Sequence, residues 1–150
     1  MPTDYELLDS QLRALIADEP DNLANAANFV ALLHNAIDDV NWMGIYVLRG
    51  DELVLGPFQG LAACVRIPLG KGVCGTAAAT RSVQRVADVH AFEGHIACDA
   101  ASRSEIVLPL VLDGELIGVL DIDSPEPDRF SEADEQLLER IAERYLASID

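Results

Sequence analysis

Three groups of side chains in this sequence could do chemistry: the cysteines Cys64, Cys74 and Cys98; the acids Glu105, Asp121 and Asp123; and a histidine-bearing stretch from Asp88 to Asp99. Structural free cysteines usually lie inside a regular apolar stripe, whereas these fall in loops or at the start of a short helix. Two readings stand. The thiols are buried and inert, as cysteine often is, or they do thiol chemistry with two or three partners. Cys74 follows Gly72 at an expected helix N-terminus, where the dipole and free amides favour thiolate; Cys98 lies in Gly94-His95-Ile96-Ala97-Cys98-Asp99 beside a possible imidazolium. An odd cysteine count without a secretory leader argues against a disulfide framework and for thiols that start reduced.

Asp121 and Asp123 alternate along an apolar strand, so both face one side of a sheet, and Glu105 begins the neighbouring strand across the Asp113-Gly114 turn. The set is a solvated strand end, a cation site, or a partly buried cluster. In the last case repulsion and lost hydration raise the pKa, so that one acid keeps a proton near neutral pH. An ammonium group would be an alternative counter-charge. Nothing like an EF-hand loop favours Mg²⁺ or Ca²⁺. His90, His95 and Cys98, with Asp88 or Asp99, offer a zinc reading, but no C-x-x-C or H-E-x-x-H spacing supports it, so no bound metal is expected. Gly70-Lys71-Gly72-Val73-Cys74-Gly75 matches the dinucleotide pattern G-x-G-x-x-G. The helix after it is too short for a crossover and a hairpin follows, so a tight turn into a short helix is expected.

The elements that must position these groups are read from periodicity. Thr3-Asp4-Tyr5-Glu6 reads as a capping box opening a helix over 4–18, with Leu8, Leu12, Leu15 and Ile16 inward. Asp21 or Asn22 caps a second helix to about Asp38, buried through Ala26, Phe29, Val30, Leu33 and Ile37. Residues 42–48 and 53–55 form a hairpin around Arg49-Gly50-Asp51. The glycine-broken middle holds a strand near 64–67, a helix near 74–80 and a strand near 83–87. Residues 105–112 and 115–122 form the strongest hairpin, around Asp113-Gly114. Ser131 caps a last helix with Leu137, Leu138, Ile141, Tyr145 and Leu146 inward. The order implies an α+β domain: a central antiparallel sheet with the N- and C-terminal helices mostly on one face.

A chain of 150 residues fits one domain, 1–150, and 50% hydrophobic residues with a mean hydropathy of +0.17 supply a core. The 26 acidic against 10 basic residues leave a formal charge of −16. Such a surface repels phosphate backbones and anionic lipid, so neither nucleic acid nor membrane is an expected partner. No apolar run approaches the roughly 18 residues of a membrane span and the N-terminus lacks a signal-peptide layout, so the expected compartment is the cytoplasm.

Eight ordered motifs then carry a resemblance. Trp42-Met43-Gly44-Ile45-Tyr46, Gly56-Pro57-Phe58-Gln59-Gly60, Ala63-Cys64-Val65-Arg66-Ile67-Pro68, Gly72-Val73-Cys74-Gly75-Thr76, Ala87-Asp88-Val89-His90, Gly94 to Asp99, Ser104-Glu105-Ile106-Val107 and Gly118-Val119-Leu120-Asp121-Ile122-Asp123-Ser124-Pro125 resemble the free methionine-(R)-sulfoxide reductases. The match is dense over about 40–125 and looser in the flanking helices. It implies a single GAF-like domain that reduces free, not peptide-bound, L-methionine-(R)-sulfoxide, a defence against oxidative stress. By the same resemblance Cys98 is the nucleophile that becomes a sulfenic acid. Cys64 is the resolving thiol that closes a disulfide, and Cys74 is a second resolver or a pocket residue. Thioredoxin is the implied external reductant, with no bound cofactor. Glu105, Asp121 and Asp123 would bind the substrate's polar end, and Trp42 and Tyr46 would wall a slot for its S-methyl group. Arg103 is a candidate for the substrate carboxylate. A homodimer through the terminal helices is also implied. Glu93 stands where proline is common in the family, which would loosen that loop and raise the Cys98 pKa. The rival from another class is a GAF-type sensor that binds a small ligand without chemistry.

Overall fold

The computed structural model describes residues 3–96 and 101–149. Two helices, α1 (Tyr5–Ile16) and α2 (Asn22–Ala36), precede the hairpin of β1 (Trp42–Arg49) and β2 (Glu52–Gln59). Then come β3 (Arg66–Pro68), α3 (Gly72–Thr80), β4 (Gln84–Val86) and a 3₁₀ turn at Val89–Ala91. The second hairpin, β5 (Ser104–Leu112) and β6 (Glu115–Ser124), leads to α4 (Glu132–Leu146). The strands form one six-stranded sheet in the order β3-β2-β1-β6-β5-β4, and every neighbouring pair is antiparallel. This is the expected α+β arrangement.

Alternation along the central strands divides the interior. Ile106, Leu108 and Leu110 of β5, Leu120 and Ile122 of β6, and Met43 and Ile45 of β1 pack against α1, α2 and α4. The Phe29 and Tyr145 rings stack there at 4.4 Å, joining α2 to α4. Residues one step out of phase, including Trp42, Tyr46, Val107 and Val119, form a second core with Val73, Cys74, Ala77 and Ala78 of α3. The sheet therefore carries three helices on one face and α3 on the other. Asp121 and Asp123 share the phase of Val119, so strand periodicity alone sends them toward α3.

Several boundaries differ from expectation for local reasons. The N-cap of α1 is Asp4, whose carboxylate accepts from the Leu7 amide, and not Thr3. The first helix ends at Ile16, short of 18, and Leu15 lies 43% exposed because only Leu8, Leu12 and Ile16 keep the inward spacing. In α4 Leu137 and Leu146 are only half-buried, and Ala142 joins Leu138, Ile141 and Tyr145 in the core. The second strand runs on through Gly56 and Pro57 to Gln59, past a register shift between Gly44 and Tyr46. The third strand begins after Cys64 and Val65, at Arg66.

The glycine motif resolves as a turn into a short helix. Gly70 and Gly72 hold φ of +82° and +63°, and a Cβ at Gly75 would lie 2.5 Å from the Pro68 carbonyl oxygen. All three glycines are thus required by local backbone geometry, and α3 is only nine residues long.

Candidate active site

Between the sheet and the N-terminus of α3 lies a pocket whose floor is acidic. Glu105 of β5 stands directly opposite Asp123 of β6, and Asp121 follows two residues back on the same face. All three are buried, at 6%, 8% and 6% exposure, and all line the pocket. Cys74, in the first turn of α3, points at them, with Sγ 4.0 Å from Glu105 Oε2. Donor atoms of Cys74, Glu105 and Asp121 lie within 4.8 Å of one another. Trp42 and Tyr46 form the aromatic wall, with ring centroids 5.9 Å apart, and Phe58 stacks behind Trp42 at 5.5 Å.

Burial dominates the electrostatics. It pushes the Glu105 carboxyl well above the usual glutamate range, and the neighbouring Asp121 and Asp123 charges push it further. Burial raises Asp121 too, but hydrogen bonds with Glu105 and Cys74 act in the opposite direction. Three acids this close and this buried repel one another, so the set as a whole holds on to a proton. Asp121 Oδ1 is itself buried and has no hydrogen-bond partner among the described residues. An unfilled carboxylate oxygen in a pocket is a place for a ligand's donor. The expectation of a partly buried acid cluster thus holds, and the solvated strand end does not.

The Cys74 thiol is held well above its ordinary range by burial and then by the charges of Asp121, Glu105 and Asp123. This corrects the expectation of a thiolate there: lost hydration and three acids outweigh the helix N-terminus. Cys74 is a free thiol, whereas Cys64 is bonded in a disulfide. The Cys64 segment is tied to the aromatic wall: Tyr46 O–H donates to the Cys64 carbonyl at 3.0 Å and Trp42 Nε1–H to the Leu61 carbonyl at 2.9 Å. Cys98 and Asp99, the expected nucleophile and one zinc candidate, lie outside the described residues. Asp88 caps the 3₁₀ turn by accepting from the His90 amide, which accounts for it without a metal.

Lys71 and Ser102 are polar lining residues that the sequence did not single out, and His95, singled out there as a zinc candidate and as an imidazolium beside Cys98, lines the pocket with them. Loops deliver them, so no local periodicity marks them. His95 is shifted toward neutrality, first by partial burial and then by His90. Arg103, the candidate for a substrate carboxylate, is exposed and outside the lining; Lys71, the N-cap of α3, is the cation at the pocket.

A family model described as GAF domain matches residues 26–150. A Bacillus subtilis protein called YtsP is 59% identical, covering 93% of this chain and 87% of its own. The Escherichia coli free methionine-R-sulfoxide reductase is 56% identical, covering 97% of this chain and 90% of its own. The chain belongs to the free methionine-R-sulfoxide reductases of the GAF fold. Among solved structures of this oxidoreductase family, that of fRMsr of Staphylococcus aureus in complex with substrate superposes with a TM-score of 0.95. It is 52% identical and covers 100% of this chain and 98% of that one. The motifs that carried the resemblance therefore identified the reductase family correctly.

Proposed function

We propose that this protein reduces free L-methionine-(R)-sulfoxide to methionine, sparing the cell's free methionine pool from oxidation. The observation that carries this reading is the buried Glu105, Asp121 and Asp123 set facing the Trp42 and Tyr46 wall in a member of that family. The aromatic wall suits the S-methyl end. A protonated Glu105 suits the sulfoxide oxygen, and ionised acid the substrate ammonium. Lys71 and the free amides at the start of α3 suit the substrate carboxylate. A pocket that requires both free termini of an amino acid rejects a residue within a peptide.

In this mechanism the Cys98 thiolate attacks the sulfoxide sulfur. The S–O oxygen passes to Cys98 with a proton from the acid set, methionine leaves, and Cys98 is left as a sulfenic acid. The Cys64 thiol condenses with it, releasing water and closing a disulfide. The support is that Cys64 is disulfide-bonded and Cys74 is not. Cys74, deep among the acids, serves as a pocket residue rather than a second resolver. Thioredoxin, at about −270 mV, is a suitable external dithiol to reopen that disulfide. Homodimerisation through the terminal helices belongs to the same reading: Leu7, Leu15 and Leu23 on α1 and α2 are exposed.

The test is turnover of separated free Met-(R)-sulfoxide and Met-(S)-sulfoxide with dithiothreitol, beside N-acetylated substrate and Cys98→Ser. Methionine from the free R form only, absent with Cys98→Ser although substrate still binds, is the expected result. No methionine from either free isomer would overturn the reading and favour a ligand-binding sensor.

A further inference from the structure

We propose that Cys74, Glu105 and Asp121 also form a binding site for a thiophilic divalent cation, foremost Zn²⁺, and that the occupied site shuts the pocket to substrate. Only that second consequence rests on the reductase reading.

One sulfur and two carboxylate donors approach from three elements, α3, β5 and β6, with all three groups buried and mutual separations within 4.8 Å. Zinc–sulfur and zinc–oxygen distances of about 2.3 and 2.0–2.2 Å place tetrahedral donors roughly 3.3–3.6 Å apart. The Cys74–Glu105 contact of 4.0 Å is near that spacing already. Closing the rest takes side-chain shifts on the order of 1 Å around a tetrahedral ion. Asp121 Oδ1 supplies a second indication: a buried carboxylate oxygen in the pocket with no hydrogen-bond partner among the described residues is an acceptor open to a donor or a cation. The thiol selects the class of ion. Sulfur with two oxygens suits Zn²⁺, whereas Mg²⁺ and Ca²⁺ take oxygen ligands and not a thiolate. A tetrahedral ion held by these three donors keeps a fourth position for water from the pocket.

Binding exchanges protons for metal with no change of oxidation state. The Cys74 S–H proton and any proton held within the acid pair leave to solvent as the S–Zn and O–Zn bonds form. Because Glu105 and Asp121 line the same pocket, a cation there removes the acceptor and the donor that a zwitterionic substrate would use. Zinc would thus act as a reversible competitive inhibitor rather than as a cofactor.

The experiment titrates Co²⁺, a spectroscopic stand-in for Zn²⁺, into reduced protein carrying Cys64→Ser and Cys98→Ser, so that Cys74 is the sole thiol. One Co²⁺ per chain with a near-ultraviolet sulfur-to-cobalt charge-transfer band is expected, displaced by Zn²⁺ and weakened by added free methionine sulfoxide. Adding Cys74→Ser should abolish the band, and Glu105→Gln should raise the Co²⁺ Kd by about tenfold or more. No band, a band that survives Cys74→Ser, or an unchanged Kd with Glu105→Gln would each overturn the site. Should Cys74→Ser fail to fold by circular dichroism, Asp121→Asn takes its place, with the same weakening expected and unchanged affinity overturning the proposal. Turnover by the metal-free wild-type protein is measured in parallel. Its absence would sink the reductase reading and leave the cobalt band to judge the metal site.

Discussion

Glu105 is buried opposite Asp123 and beside Asp121, so ionising it adds negative charge where water screens it little. Its pKa lies well above the ordinary glutamate value, as burial and the two acids dictate. With the folded pKa raised, the native state holds more protons than the unfolded chain between the two values, so stability is full below the unfolded pKa and falls as pH rises through the folded one. Urea melts across that window should show declining stability in the wild type and a flatter profile in Glu105→Gln, which mimics the protonated form. In the proposed mechanism activity follows the same direction: turnover declines as the acid set loses its proton. Glu105→Gln cuts kcat by about a hundredfold or more, the usual size of general acid catalysis. A turnover profile that rises through the same window would remove Glu105 from the proton-donor role.

At the scale of elements, β1 does two tasks through one alternation. Its even-phase side chains Trp42 and Tyr46 wall the pocket, and their polar ends reach out to hold the Leu61 and Cys64 carbonyls. Tyr46→Phe keeps the ring and deletes the 3.0 Å hydrogen bond, freeing the Cys64 segment. Rapid-quench measurement should then find the first methionine released at near wild-type rate while disulfide closure slows several-fold, by roughly the 0.5–1.5 kcal/mol of one hydrogen bond. Equal slowing of both steps would mean that Tyr46 acts on substrate alone. The last helix offers a purely structural check. Ser131 Oγ accepts from the Asp134 amide and the Asp134 carboxylate accepts from the Ser131 amide, a complete capping box. Ser131→Ala should lower stability by about 1 kcal/mol, read as a fall of roughly 2–4 °C in Tm, without moving KM.

Over the whole molecule the formal charge of −16 sets the response to salt. Like charges crowd together on folding and repel within about 10 Å at 0.1 M salt, so added NaCl should raise Tm from its low-salt value. Thermal melts over an ionic-strength series check this; a falling Tm would mean that attractive ion pairs, such as Arg144 with Asp9 at 2.9 Å between α4 and α1, outweigh the net repulsion. Assembly belongs to this scale as well. If the terminal helices pair two copies, Leu7→Glu with Leu23→Glu replaces exposed apolar surface by charge and should yield monomers by sedimentation, with the pocket unchanged. No helix among the described residues is long and apolar enough to cross a membrane.

Much of the fold was legible because local periods are set by backbone geometry: the stripe of Ala26, Phe29, Val30, Leu33 and Ile37 and the alternation of Val119, Asp121 and Asp123 each reveal a face without a partner. The sequence by itself therefore determined the element order, the common face of the two aspartates and, through its ordered motifs, the family. It could not assign a partner to those faces. Register put Glu105 opposite Asp123, and the packing of α3 on that side of the sheet buried Cys74 among three acids, reversing the thiolate expected from its helix position. That Lys71 and Ser102 line the pocket while Arg103 stays outside it was equally invisible, since loops obey no period. Burial is the physical reason throughout: charge, proton and thiol states depend on how much water is excluded, and that is decided only when distant segments close over one another.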